Sequence, residues 1–257
     1  MGEPGTLEQG RGERPRIAVV DYGMGNRRSA EKALQRAGAD AFVSFDHDLL
    51  AAADGLLLPG VGAFPAAMET IGERGLGAVL RERAGAGVPV FGACLGMQIL
   101  FERSEEHGGA EGLGLLGGEV RALRAPGLSL PHIGWSAVRW VRDASGAERP
   151  AGGEGPGWPL SAGLPNPTYL YHVHSFIAAP GEEETVLGVA EYGEVFPAVV
   201  GAGNVFGSQS HPEKSSTHGL RLLANFVALC GARAAGAREG AAGAATQATP
   251  PPGVALA

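Results

Sequence analysis

The chain is poor in the features that define several common protein classes. Among its 257 residues only Cys94 and Cys230 are cysteines, too few for a disulfide framework. Neither belongs to a CxxC pair or a His/Cys cluster, so no metal site is written in the sequence. No apolar run reaches the roughly 18 residues that a membrane span needs. The first residues, MGEPGTLEQGRGERPR, put charge and glycine where a signal peptide carries its apolar core. There is no basic block and no interleaving of basic with aromatic side chains, which argues against nucleic acid as a partner. These absences leave a reduced, cytoplasmic protein. Its net charge of −7 reads as ordinary solubility, and 44% hydrophobic residues suit a single domain with a full core.

Both ends look unstructured. Residues 1–15 are rich in Gly, Glu and Arg, and residues 231–257 are low-complexity Ala/Gly with a Pro run. Neither buries enough apolar surface to offset its ordering entropy. A core of residues 16–230 remains. Its first half alternates strand and helix. Ile17–Val20, Ala41–Val43, Leu56–Leu58 and Val88–Phe91 read as strands. Asn26–Ala37, Ala63–Ala84 (broken near Gly72–Gly75) and Leu95–Arg103 read as helices. Such alternation implies right-handed crossovers and a parallel sheet covered on both faces. In the second half, Val120–Leu123, Ala137–Val141, Tyr169–Val173, Val186–Ala190, Ala198–Val200 and Val205–Phe206 read as short strands added antiparallel to that sheet. Residues 143–166 read as a long Gly/Pro-rich loop. Ser216–Cys230 closes the core as an amphipathic helix with Leu220, Leu223, Phe226, Val227 and Cys230 on one face.

Three short segments carry chemistry. Gly92-Ala93-Cys94-Leu95-Gly96 has the G-x-nucleophile-x-G form of a strand-to-helix elbow, which pushes the central side chain out above a sheet. A helix N-terminus beneath the sulfur favours thiolate, and the Leu95 amide is free to face an oxyanion. The alternative is a small buried hydrophobe, a common fate of free cysteine. A nucleophilic cysteine needs a base held in one tautomer. His211-Pro212-Glu213 offers one, although the same tripeptide is also an ordinary polar turn. Pro59-Gly60-Val61-Gly62 follows the Leu56–Leu58 strand and can present backbone N–H groups to an anion, or serve as a plain βα turn.

Together with DYGMGN (21–26), LPGVGAF (58–64), FGACLGMQILFE (91–102), GLGLLGGEV (112–120), PHIGWSAV (131–138), YHVHSF (171–176) and GSQSHPEKSS (207–216), these segments carry a resemblance. The sequence resembles the class I (triad) glutamine amidotransferases, and among them the glutaminase subunits of imidazole glycerol phosphate synthase from histidine biosynthesis. The resemblance implies a flavodoxin-like, three-layer α/β fold with a mixed, mostly parallel central sheet and antiparallel additions in the second half. It implies Cys94 as nucleophile, His211 as base and acid, and Glu213 as the orienting carboxylate. Backbone amides of Val61 and Leu95 would form the oxyanion hole, with Gly60 and Gln98 on the L-glutamine substrate. It implies no metal and no cofactor. It also implies a heterodimer with a cyclase partner, a (β/α)8 barrel that receives the ammonia, with Trp135, Tyr171, His174 and Lys214 near the partner-facing mouth. The sequence departs from the family pattern at Ala93, where a larger aliphatic residue is usual, at Ser136 in GWS rather than GWN, and at Ser210, where an aromatic is common. None of these is a triad position. Two rivals stand beside this reading: a glutaminase serving a different synthase, and a non-catalytic interaction subunit of the same fold.

Overall fold

The computed structural model describes residues 14–141 and 159–246, with side chains of the last helix through Arg238. Its first half is a run of alternating units. These are β1 (Arg16–Val20), α1 (Arg27–Arg36), β2 (Asp40–Ser44), α2 (His47–Ala51), β3 (Gly55–Leu58), α3 (Phe64–Glu73), α4 (Leu76–Gly85), β4 (Val90–Ala93) and the single turn α5 (Leu95–Gln98). The second half is mostly strand: β5 (Arg103–Ser104), β6 (Ala110–Glu111), β7 (Gly118–Ala122), β8 (His132–Trp140), β9 (Thr168–His174), β10 (Phe176–Pro180), β11 (Val186–Tyr192), β12 (Glu194–Ala202) and β13 (Val205–Ser208). Helix α6 (Ser216–Thr246) follows.

Nine strands form one mixed sheet in the order β2-β1-β3-β4-β13-β12-β11-β8-β9. The ladders from β2 to β13 are parallel, and those from β13 to β9 are antiparallel. Strands β10, β7, β5 and β6 form a separate four-stranded sheet. The expected strand at Val120–Leu123 therefore lies in β7 of the smaller sheet rather than on the main one.

The central strands are apolar throughout because both faces are covered. Ile17 and Val19 of β1 point into one core with Phe91, Leu223, Phe226 and Cys230, while Ala18 and Val20 point into the other with Leu58, Phe64 and Met97. Helices α1 and α6 cover the first face; α3 and α4 cover the second.

Two helix boundaries differ from the sequence reading. The helix after Cys94 stops at Gln98, not Arg103, because the next carbonyls are taken from outside. Leu113 N–H donates to Ile99 O (2.9 Å), Leu115 and Leu116 to Leu100 O (2.8 and 3.0 Å), and Gly114 to Phe101 O (3.1 Å). At the other end, α6 does not stop at Cys230 but continues to Thr246. Alanine favours helix, and this part is docked: Ala234 is buried, and Arg233 Nη2 donates to Ala86 O (3.1 Å). The stretch Ser216–Arg238 is long and apolar enough to cross a membrane by composition alone. Its side chains Leu222, Leu223, Phe226, Val227 and Cys230 are packed into the core instead. The N-terminal stretch before Arg14, most of the expected 143–166 loop and the chain after Thr246 lie outside the described residues.

Cys230 meets the start of β3 closely. A Cβ added at Gly55 would lie 2.3 Å from the Cys230 sulfur, so Gly55→Ala should cost about 1–3 kcal/mol by overpacking. Cys230→Ala in the same chain should restore part of that loss. Thermal melts of the two single variants and the double variant check this; strict additivity would contradict the contact.

Candidate active site

Three neighbouring parallel strands place the three segments singled out in the sequence. Leu58 of β3 is paired with Gly92 of β4, and Ala93 of β4 with Ser208 of β13. The loop 59–62, Cys94 and His211 thus leave the carboxyl ends of adjacent strands, where open α/β sheets build their sites. Cys94 turns the chain with φ 53° and ψ −111°, a conformation that a non-glycine residue adopts only when its surroundings enforce it. They do so here. Cys94 N–H donates to Ser208 O (2.7 Å), and Cys94 O accepts from Met97 and Gln98 N–H (3.0 and 3.2 Å). The flanking glycines are required by space. A Cβ at Gly92 would lie 2.3 Å from Gly96 O, and one at Gly96 would lie 1.9 Å from Leu58 O.

The loop after β3 is held against the elbow. A Cβ at Gly60 would lie 2.5 Å from Leu95 Cβ. The buried Tyr22 hydroxyl donates to Pro59 O, which anchors the start of the loop. Val61, Gly62, Cys94, Leu95 and Gln98 line one cavity of about 280 Å³ together with Glu106, Val173, His174 and Phe176. Leu95 opens a helix, so its N–H has no intrahelical acceptor.

His211 is buried, and its Nδ1 lies 2.9 Å from Glu213 Oε1. Burial opposes a charge on this ring. Attraction to Cys94, and then to Glu213, outweighs it and holds the pKa up at about 9. Among the described residues the other nitrogen, Nε2, meets no partner at full hydrogen-bond geometry. Cys94 is 6% exposed; its sulfur lies 3.6 Å from Val173 O and 3.8 Å from Gln209 Nε2, which donates to it. With α5 only one turn long, the helix dipole expected to act on the sulfur is small. Cys230 is the opposite case. Burial pushes its thiol well above the ordinary range, as an inert core residue requires.

Two residues close to the site escape sequence reasoning. Glu106, to which the sequence reading gave no role, accepts at Oε2 from Phe64 N–H (2.8 Å) and lines the cavity. Gln209 is wholly buried beside the sulfur. Its position two residues before His211 was the only available signal.

The residues expected near a partner do not form one patch. Trp135 and Tyr171 meet edge to face, with ring centroids 5.9 Å apart, on the outer side of the β8–β9 ladder. Trp135 is 52% and Ile133 61% exposed. Lys214 is exposed next to Glu213. His174 is set apart from them. Strand alternation turns it inward, and it is buried in the cavity wall with His132 and His172 behind it. Burial lowers the pKa of all three, to about 2 for His174 and about 3 for His172.

A family model described as glutamine amidotransferase class-I matches residues 18–230. The chain belongs to the class-I glutamine amidotransferases. Within that family the amidotransferase is 47% identical over 210 residues to "Imidazole glycerol phosphate synthase subunit HisH" of Bacillus cereus strain G9842, covering 82% of this chain and 93% of the relative. It is 48% identical to the protein of that name from Moorella thermoacetica, with the same coverage. Among solved structures, PurLQS from Thermotoga maritima matches with a TM-score of 0.61 over 84% of this chain and 99% of that one. At 20% identity that likeness concerns the fold alone. The chain is an enzyme, a glutamine amidotransferase.

The elevated His211 pKa has a directional consequence for this amidotransferase. Removing the Glu213 charge removes an interaction that favours imidazolium, so Glu213→Gln should lower the His211 midpoint from about 9. An imidazole NMR titration of both chains reads this; an unchanged midpoint would show that Glu213 does not hold the ring.

Proposed function

We propose that this amidotransferase is the cytoplasmic glutaminase subunit of an imidazole glycerol phosphate synthase of histidine biosynthesis, and that Cys94, His211 and Glu213 carry its reaction. The observation that carries the chemistry is a buried, carboxylate-held imidazole beside a cysteine forced out on a strained turn. The Cys94 thiolate attacks the side-chain carboxamide carbon of L-glutamine. The carbonyl oxygen takes up the negative charge, with the Leu95 and Val61 amides as its donors. The C–N bond breaks as His211 passes its proton to the departing nitrogen, giving ammonia and a γ-glutamyl thioester. Water then adds to the thioester, His211 takes its proton, and glutamate leaves with the thiolate restored. Glu213 keeps the imidazole in one orientation throughout. At the other end of the substrate, Glu106 is placed to receive the α-ammonium group. Both amide hydrogens of Gln98 are already engaged, on Phe176 O (2.9 Å) and Gln209 Oε1 (3.3 Å), so its Oε1 is left as an acceptor.

The ammonia goes to a cyclase partner with a (β/α)8 barrel, which converts a nucleotide precursor to imidazole glycerol phosphate and an aminoimidazole carboxamide ribonucleotide. Support comes from the 47–48% identity to proteins named as subunits of that synthase, and from the exposed Ile133, Trp135 and Tyr169 on the β8–β9 hairpin. This hairpin also touches the catalytic strand end: His211 N–H donates to Tyr171 O (2.8 Å). A partner seated on it is therefore mechanically adjacent to the base.

Cys94→Ala should abolish glutamine-dependent synthesis by the two-component complex and leave ammonia-dependent synthesis intact, since ammonia then arrives from solution. Loss of both activities would point to a structural role. A second test concerns control. Loop 59–62 contains two glycines and so can change its peptide orientation at little cost. If docking orients the Val61 donor, hydrolysis should rise by about 10²–10³ with barrel and nucleotide present, the scale of one oxyanion donor. Equal turnover by the isolated chain and by the complex would refute this control.

A further inference from the structure

Behind the glutamine cavity lies a set of buried imidazoles that the reaction does not use. Two of them, His174 and His132, are hydrogen-bonded in one direction, and a single carbonyl sets that direction. His174 Nδ1 lies 3.1 Å from Phe176 O, which can only accept, so Nδ1 carries the hydrogen. In the neutral ring Nε2 is then an acceptor. Its partner at 3.3 Å is His132 Nδ1, which must therefore donate. His132 Nε2 is left as an acceptor and faces Ser136 Oγ at 3.0 Å, so the hydroxyl donates to it. Burial keeps these rings neutral, which is the condition for the argument.

The chain does not end at His174. Phe176 O, the acceptor that fixes the direction, also accepts from Gln98 Nε2 at 2.9 Å. Gln98 Nε2 also donates to Gln209 Oε1 (3.3 Å), and Gln209 Nε2 donates to the Cys94 sulfur. An unbroken series of hydrogen bonds thus links Ser136, next in sequence to the exposed Trp135, with the cavity and the sulfur. The supporting ring contacts are close: His132 stacks on Tyr192 with centroids 4.1 Å apart and on His172 at 5.3 Å.

We propose that Ser136, His132 and His174 form a one-way hydrogen-bond relay that fixes the Phe176 carbonyl and, through it, the Gln98 carboxamide, so that His132 and His174 are positioning residues for glutamine. This rests on the reading of Cys94 as the site of glutamine attack. The relay explains why polar side chains occupy the buried face of the β8–β9 ladder, where apolar ones would otherwise be expected.

The test uses the full chain and two readouts. In ¹⁵N-resolved imidazole spectra at neutral pH, His132 and His174 should both be neutral and protonated at Nδ1; an Nε2-protonated His174 overturns the relay. The second readout is protection of Cys94 from iodoacetamide by L-glutamine. His132→Phe keeps the ring stack but removes the donor, and should raise the half-protecting glutamine concentration about five-fold, the scale of one neutral hydrogen bond. The unprotected alkylation rate should stay unchanged. His132→Asn, which can return a donor near the Nδ1 position, should recover much of the loss, and Ser136→Ala should give a smaller rise. Equal protection in wild type and His132→Phe overturns the proposal while leaving the glutaminase reading standing. If His132→Phe does not fold, Ser136→Ala and the tautomer spectra decide it. If glutamine fails to protect wild-type Cys94, the glutaminase reading falls and the proposal with it.

Discussion

The backbone of Cys94 is held at φ 53° between two parallel strands, and the site is arranged around that restraint. The turn survives because three contacts leave it no alternative: the Cys94 amide on Ser208 O, the Gly96 backbone against Leu58 O, and Gly92 against Gly96. Each contact belongs to a different strand end, so the elbow also locks the spacing of β3, β4 and β13. Loop 59–62 and the His211 segment inherit their positions from that spacing. Strain at Cys94 is thus offset by the parallel sheet beneath it, in keeping with the general placement of strained residues at functional sites.

Electrostatically the site is divided in two. On the side of the sulfur, His211 is buried against Cys94 and Glu213 and holds its proton to about pH 9. On the cavity side, His132, His172 and His174 face one another and apolar rings, and burial keeps them neutral. All four are histidines at low exposure. A nearby carboxylate and sulfur separate the ring proposed to move a proton from the rings that burial keeps neutral.

Much of this was legible in the sequence. The central strands could be read because burial on both faces leaves continuous apolar runs, as in Leu56–Leu58 and Val88–Phe91. The elbow could be read because only glycines fit at 92 and 96. Other parts were hidden for physical reasons. The β8 strand begins at His132, yet alternation there runs opposite to habit, with Ile133 and Trp135 outward and His132 and Ser136 inward, so PHIGW did not read as a strand. The helix after Cys94 is short because residues 113–116 capture its carbonyls, a contact no local pattern reports. Glu106 is drawn to the cavity edge by the Phe64 amide, 42 residues away in sequence.

The central claim is that this turn makes Cys94 the atom to which glutamine becomes covalently attached. Acid quenching of the chain with its cyclase partner during turnover, followed by peptide mapping, tests it most directly. The account predicts a γ-glutamyl adduct on the peptide that contains Cys94, formed and lost at the rate of hydrolysis. Steady glutamine consumption with no adduct at Cys94, or with the adduct on Cys230, would contradict it.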